Sequence, residues 1–297
     1  MKNFTLDEWI EWQCKLHSTN MDFNLSRIKE VAVRLNIGKT KSKVFTIAGT
    51  NGKGSTVAIL ESILIESGYS VGSYTSPHLL EFNERIKINK IPASTKEICN
   101  AFEIIEESRK DITLTYFEFS TLAAFIIFSQ KKLDILILEV GLGGRLDAVN
   151  IIDSDVSVIT NIGLDHTSIL GSNMEKIALE KSGVMRKYKP TIVGYSGVHD
   201  SIIKYSNEVD ATLSIFNKHF SGKIYNGDSL KQLMRIINNQ NIINVHSNEN
   251  TDDIRAFESI INHIEHTDSD VISKSLRTHI SNIIEQYTPN KMHNVPT

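Results

Sequence analysis

Two hydrophobic periods alternate along the chain. Short apolar runs at 44–47, 69–74, 133–140, 156–160 and 191–193 read as strands, and the large aliphatics of 133–140 fit a strand buried on both faces. Between them apolar positions recur at helical spacing, at 57–64, at Ile98, Ala101, Phe102 and Ile105, and at 118–130, 174–182 and 201–209. Residues 1–35 also read as helical, with Trp9, Trp12 and Leu16 on one face and Ile28, Val31, Ala32 and Leu35 on another, broken at 21–25. Aromatic spacing of this kind is the mark of core packing. Strands alternating with helices predict an α/β fold with a mostly parallel sheet, helices on both faces and a ligand at the carboxyl ends of the strands. Beyond about residue 220 the character changes to helical spacing alone, as at Leu230, Leu233, Met234 and Ile237 or at Ile272, Leu276, Ile280, Ile283 and Ile284. Polar stretches such as 238–253 separate these segments. The expected organisation is therefore an α/β domain over 1–220 and a polar, mainly helical tail over 221–297.

The first of these strands opens into Gly49-Thr50-Asn51-Gly52-Lys53-Gly54-Ser55 and then into a helix. Glycines there let the backbone approach a polyphosphate, N–H groups at the helix start point at it, and Lys53 adds a positive charge. The ordinary P-loop pattern fails, because Ile47 stands where it needs its first glycine and Gly54 where it needs Ser or Thr. A glycine-rich turn alone is more often structural. Set between a buried strand and a helix, with a lysine inside it, this one reads as a variant P-loop that cradles nucleotide phosphates.

Composition narrows the partners. A chain of 297 residues has room for roughly two domains. A net charge of −3 and a pI near 6.4 give no electrostatic reason to expect nucleic acid or an anionic membrane. Cys14 and Cys99 are the only cysteines, so neither a disulfide framework nor a repeated zinc spacing is expected, and a reducing cytoplasm fits. The first fifteen residues mix Asp7, Glu8 and Glu11 with tryptophans and lack a signal peptide's apolar core, so they should remain on the mature chain. The apolar segments fall far short of the ~20 residues of a membrane helix. His246, His263, His266 and His279 follow no ligand spacing and read as solvated surface.

Three strand ends supply hard oxygen and imidazole donors: Ser76, Glu139 and His166. A magnesium ion bridging nucleotide phosphates needs few protein ligands, since waters and phosphate oxygens complete its octahedron. Taken alone, Glu139 is as well explained by a salt bridge or an exposed strand end, and His166 reads more readily as a hydrogen-bonded structural histidine. Lys181, near the end of a helix, reads alone as a surface lysine.

Read together, the motifs resemble one family. The glycine loop, Thr75-Ser76-Pro77-His78-Leu79 with Glu84-Arg85-Ile86, and Phe117-Glu118-Phe119 with Thr121-Leu122-Ala123-Ala124-Phe125 occur in order. They are followed by residues 139–150, Asp165-His166-Thr167 and Glu180-Lys181-Ser182-Gly183. Over residues 20–220 this set is similar to the dihydrofolate synthase/folylpolyglutamate synthase branch of the Mur-type ligases. The resemblance implies that Thr50, Asn51, Gly52, Lys53, Gly54 and Ser55, with Gly49, hold the phosphates of ATP. It implies that Ser76, Glu139 and His166 are magnesium ligands, and that Lys181 is a carbamylated lysine able to bind a second magnesium. Lys53, His166 and Lys181 would be the catalytic groups. Asp22, Phe23, Asn24 and Leu25, then Thr115, Tyr116, Phe117 and Glu118, then Leu146, Asp147 and Ala148 would meet the pterin. The implied reaction is amide formation between L-glutamate and dihydropteroate or a reduced folate through an acyl phosphate, in a family that acts as a monomer.

The match fades near residue 220, ahead of the family's remaining sheet elements, adenine contacts and carboxyl-terminal glutamate domain. The expectation is a complete phosphate, magnesium and pterin surface without a recognisable glutamate domain. One explanation is a truncated or frameshifted product whose tail was not selected to pack, a non-catalytic nucleotide- or pterin-binding remnant. The other is a helical module with a second polypeptide supplying the missing part. A ligase of peptidoglycan precursors is the third reading, and the motifs around Ser76 and Phe117 argue against it.

Overall fold

The computed structural model describes residue 2 and residues 4–19, 21–38 and 40–219; the tail expected over 221–297 lies outside them. Eight strands make one sheet: β1 (Lys43–Ala48), β2 (Val71–Tyr74), β3 (Ile86–Ile88), β4 (Ile91–Pro92), β5 (Ile135–Glu139), β6 (Val156–Ile159), β7 (Pro190–Val193) and β8 (Thr212–Ile215). Their order is β4-β3-β2-β5-β1-β6-β7-β8. From β2 to β8 every neighbouring pair is parallel, whereas β3 and β4 join antiparallel at one edge. The fold is thus the mostly parallel α/β sheet expected from the alternating periods.

The helices are α1 (Leu6–Leu16), α2 (Ser26–Arg34), α3 (Lys53–Glu66), α4 (Thr95–Arg109), α5 (Tyr116–Ser129), α6 (Thr167–Leu170), α7 (Met174–Ser182) and α8 (Asp200–Glu208). Capping boxes start three of them: Thr5 with Glu8, Ser94 with Glu97, and Thr115 with Glu118. β5 is buried at every position, as its unbroken aliphatic run requires. Leu136 and Leu138 join the core cluster of α5, while Ile135 and Ile137 lie outside that cluster, and α3 packs on β1, β2 and β5. Each such side chain removed from water contributes roughly 1.5–3 kcal/mol, so the central strands hold both layers. Trp9 is fully buried against Phe4, Phe102 and Phe119, which ties α1 to α4 and α5.

Three strands were not legible as such. β3 and β4 form a hairpin whose turn residues Asn89 and Lys90 both take positive φ, 50° and 66°, without the glycine that marks most such turns. β8 is only four residues long, with Thr212 exposed, so its apolar run is too short to stand out.

Candidate functional site

β1 lies between β5 and β6, so the loops leaving the carboxyl ends of β1, β2, β5 and β6 converge. The glycine loop after β1 is held from the β6 side. Thr50 N–H donates to Asn161 O at 3.1 Å, Asn51 N–H to Asn161 Oδ1 at 2.8 Å, and Gly163 N–H to Thr50 Oγ1 at 2.9 Å. Thr160 Oγ1 donates to Asn51 O at 2.6 Å. Gly49 has φ +146°, and a Cβ there would stand 1.8 Å from Thr160 Oγ1, so no side chain fits. Gly52, in the left-handed region at φ +77°, turns the chain into α3, and no side chain caps that helix. Its first N–H groups therefore face the loop's concavity, the arrangement that binds anions. Lys53 Nζ folds back and donates to Gly49 O and Thr50 O, both at 3.1 Å.

Glu139 ends β5 beside Ile47 of β1 and is buried, so it is not an exposed strand end, and among the described residues it forms no salt bridge. Burial pushes its carboxyl up, against the Ser76 N–H, which donates to Oε2 at 3.2 Å, and the charge of Lys53. A Cβ on Gly54 would lie 3.6 Å from Oε2, so this glycine leaves the carboxylate face open toward the start of α3. Lys181 is not the surface lysine its place in the sequence suggests. It is 4% exposed, and its Nζ donates to Gly49 O at 3.0 Å. Burial, and then the charge of Lys53, lower its pKa to about 8, which leaves roughly a tenth of the amine neutral at pH 7, far more than an exposed lysine would have. The loop after β5 docks on the end of α7 to place it. Arg145 N–H donates to Glu180 O at 2.8 Å, and Gly183 sits where a Cβ would meet Arg145 Cβ at 2.2 Å.

His166 departs from the expected strand end. It stands well beyond β6, half exposed, in the left-handed region at φ 48°, as the residue that starts α6. Its Nε2 lies 3.7 Å from Asp165 Oδ2. Gly49, Thr50, Lys53, Asp165, His166 and Lys181 line one small cavity of about 20 Å³.

Beside it lies a cavity of about 590 Å³. Of the residues expected to meet a pterin, Asp22, Phe23, Leu25, Thr115, Tyr116, Phe117, Glu118, Leu146, Asp147 and Ala148 line it, as does Ser76. Asn24 does not; its Oδ1 accepts from Ser26 N–H at 2.9 Å at the start of α2. Asp22 and Glu118 share Arg27, at 2.6 and 3.2 Å, and His17 Nε2 lies 3.4 Å from Asp22, so these acids fix the rim as a paired network. Asp147 is 5% exposed and accepts from Leu142 N–H at 2.8 Å and Val149 N–H at 3.0 Å. Burial outweighs those bonds and pushes its carboxyl up to about 6. Gly141, Leu142 and His166 line both cavities, so the phosphate loop and the aromatic cavity adjoin.

Sequence reasoning left Gln13, His17, Arg85 and Asp165 out of the site, although Arg85 and Asp165 stood inside quoted motifs. Among the described residues no three His, Cys, Asp or Glu side chains group closely enough to hold a metal by themselves. One buried carboxylate, a nearby serine and an imidazole across the site instead fit a hard cation that takes most of its ligands from phosphate and water.

Residues 47–208 match the Mur ligase middle domain. The dihydrofolate synthase/folylpolyglutamate synthase of Buchnera aphidicola subsp. Acyrthosiphon pisum is 49% identical over 207 residues, 70% of this chain and 50% of that protein. The structure of Escherichia coli FolC in complex with DHPP and ADP superposes with a TM-score of 0.72 at 46% identity, over 73% of this chain and 52% of that one. The bifunctional folylpolyglutamate synthase/dihydrofolate synthase of Yersinia pestis, complexed with AMPPNP and Mn ion, gives 0.70 at 49% identity over 73% and 53%. The chain spans about half the length of the curated relatives it matches.

Proposed function

Since the chain belongs to the Mur ligase family, we propose that it is an ATP-dependent acid–amino-acid ligase of the dihydrofolate synthase/folylpolyglutamate synthase type, acting in the cytoplasm. The observation that carries this reading is the adjacency of the two cavities, which share Gly141, Leu142 and His166 as lining. A phosphate donor held by the glycine loop would end beside the carboxylate of an aromatic ligand lying between Phe23, Tyr116 and Phe117. That juxtaposition suits phosphorylation of dihydropteroate or of a reduced folate.

A carboxylate is a poor electrophile, so activation comes first. The γ-phosphoryl group passes from ATP to a carboxylate oxygen, giving ADP and an acyl phosphate; the amine of L-glutamate then attacks the carbonyl, and inorganic phosphate leaves. Phosphoryl transfer asks mainly for positioning and charge neutralisation, which suits a site without a nucleophile. In this reading the N–H groups at the start of α3 and Lys53 orient the phosphates. Glu139, Ser76 and His166 would hold magnesium with phosphate oxygens and water, and magnesium would supply further neutralisation. Lys181, buried and prone to lose its proton, is suited to carry a carbamate, which turns a cation into an anion for a second ion. Residues 1–220 would form the ATP-binding domain and 221–297 a separate polar tail, with glutamate contacts coming from the tail or a second polypeptide.

The test is ADP release by the purified chain with magnesium-ATP, dihydropteroate and glutamate, with the product identified by mass and Lys53→Ala as control. Dihydrofolate that forms only with Lys53 intact is the expected result. Binding of ATP and dihydropteroate with no product would replace the ligase with a non-catalytic binding protein.

A further inference from the structure

One cation in the wall of the larger cavity forms no ion pair among the described residues, although its charge reaches the carboxyl of Glu139. Arg85 is only 7% exposed, and Ser76, Pro77, Tyr116 and Asp147 line the cavity with it. Its Nε donates to His78 Nδ1 at 2.8 Å, and its guanidinium carbon lies 5.3 Å from the ring centre of Tyr116 and 5.7 Å from that of Phe82. Its terminal nitrogens donate no hydrogen bond to the described residues, and no described carboxylate forms an ion pair with it. The other buried or half-buried arginines of this half of the molecule are paired: Arg109 with Glu106 at 2.6 Å, Arg27 with Asp22 at 2.6 Å and with Glu118 at 3.2 Å. A guanidinium cannot relieve burial by shedding its proton, so it calls for an anion. The free pair of N–H forks matches a carboxylate in two parallel bonds.

The backbone sets Arg85 beside the turn that carries Ser76. Thr75 N–H donates to Arg85 O at 2.9 Å, next to Ser76, whose own N–H reaches Glu139. From there the charge of Arg85 reaches the carboxyl of Glu139, which faces Gly54 of the phosphate loop. We propose that Arg85 seats the carboxylate of the cavity's ligand, gripping it in bidentate fashion and presenting it to the phosphoryl donor, with His78 holding the guanidinium in position. Naming that carboxylate as dihydropteroate's rests on the ligase reading; an anionic seat follows from Arg85 itself.

The test compares binding of dihydropteroate with that of its carboxamide counterpart to the full chain, without nucleotide or magnesium, by calorimetry. Wild type is expected to prefer the carboxylate by roughly 10- to 100-fold. Arg85→Gln should erase that preference while binding the carboxamide within a few-fold of wild type, and Arg85→Lys should keep part of it. Equal wild-type affinities, or a preference that survives in Arg85→Gln, overturn the proposal and leave the ligase reading intact. Where Arg85→Gln does not fold, the wild-type comparison and Arg85→Lys decide. A parallel arm follows phenylglyoxal modification of Arg85 by mass spectrometry, with benzoate or benzamide present. If neither pteroate compound binds but benzoate selectively slows modification, the seat stands and the pterin reading falls; no protection by benzoate and no pteroate binding overturn both.

Discussion

Asp147→Asn isolates the cost of holding one carboxylate inside the cavity wall. Asp147 is 5% exposed, and burial raises its carboxyl from 3.8 to about 6. At about 1.36 kcal/mol per pH unit, that rise corresponds to about 3 kcal/mol. The sign follows from proton counts: between pH 3.8 and about 6 the folded chain holds the proton that the unfolded chain has released. Stability from this group is therefore full below pH 3.8 and is lost as pH rises through about 6. Asparagine cannot ionise, but it keeps one acceptor where the carboxylate served both Leu142 N–H and Val149 N–H, which costs about 1–3 kcal/mol at every pH. Urea midpoints of both proteins between pH 7 and pH 4 measure the difference. Glu84, Glu97 and Glu175, each lowered to about 2 by hydrogen bonds, stay ionised over this range and cancel between the two proteins. Wild type should gain roughly 2.5 kcal/mol on the variant as pH falls from 7 to 4, most of the full shift, a midpoint change on the order of 1 M. A difference that stays constant within about 0.5 kcal/mol would refute the claim that burial dominates at Asp147.

Gly49→Ala places a methyl 1.8 Å from Thr160 Oγ1 at φ +146°, whereas Gly52→Ala at φ +77° meets nothing within 4 Å. Gly49→Ala should cost at least about 2 kcal/mol and abolish nucleotide binding, and Gly52→Ala about 1 kcal/mol, read by thermal unfolding and by ATP titration. Lys181 should give a carbamate resonance with ¹³C-labelled bicarbonate that strengthens from pH 7 to pH 9 as the amine, with its pKa of about 8, loses its proton; Lys181→Arg should abolish it. Gly183→Ala drives a Cβ to within 2.5 Å of Arg145 Cα, so about 1–3 kcal/mol of stability should be lost and Arg145 freed from the end of α7, seen in hydrogen exchange at Arg145.

The readable part of this molecule is the part whose signals are local. An aliphatic run that ends in a glycine loop declares both a buried parallel strand and its functional end, which is why β1, β5 and β6 and the loops after them were legible. The cavity wall was legible only through motif order, because Asp22, Tyr116 and Asp147 are far apart in sequence and meet only when the segment between α1 and α2, α5 and the loop after β5 close around one space. Burial is what the sequence conceals. Lys181 follows a polar helical pattern, and only the packing of Gly144 against the carbonyls of Glu180 and Lys181 and of Gly183 against Arg145 shows that α7 is covered there. The glycines near Lys181 therefore have a different task from those near Lys53: Gly144 and Gly183 admit close packing that strips water from an amine, while the Gly49 and Gly52 region exposes backbone donors to a ligand. Arg85 was hidden for the same reason. In sequence it is one cation beside Glu84, a natural partner, yet in the fold Glu84 turns away to bind the N–H groups of Leu79, Leu80 and Glu81 at 2.7–2.9 Å. The acid next in sequence thus fixes the loop that carries the arginine, and the arginine is left without an ion pair among the described residues in the wall of the larger cavity.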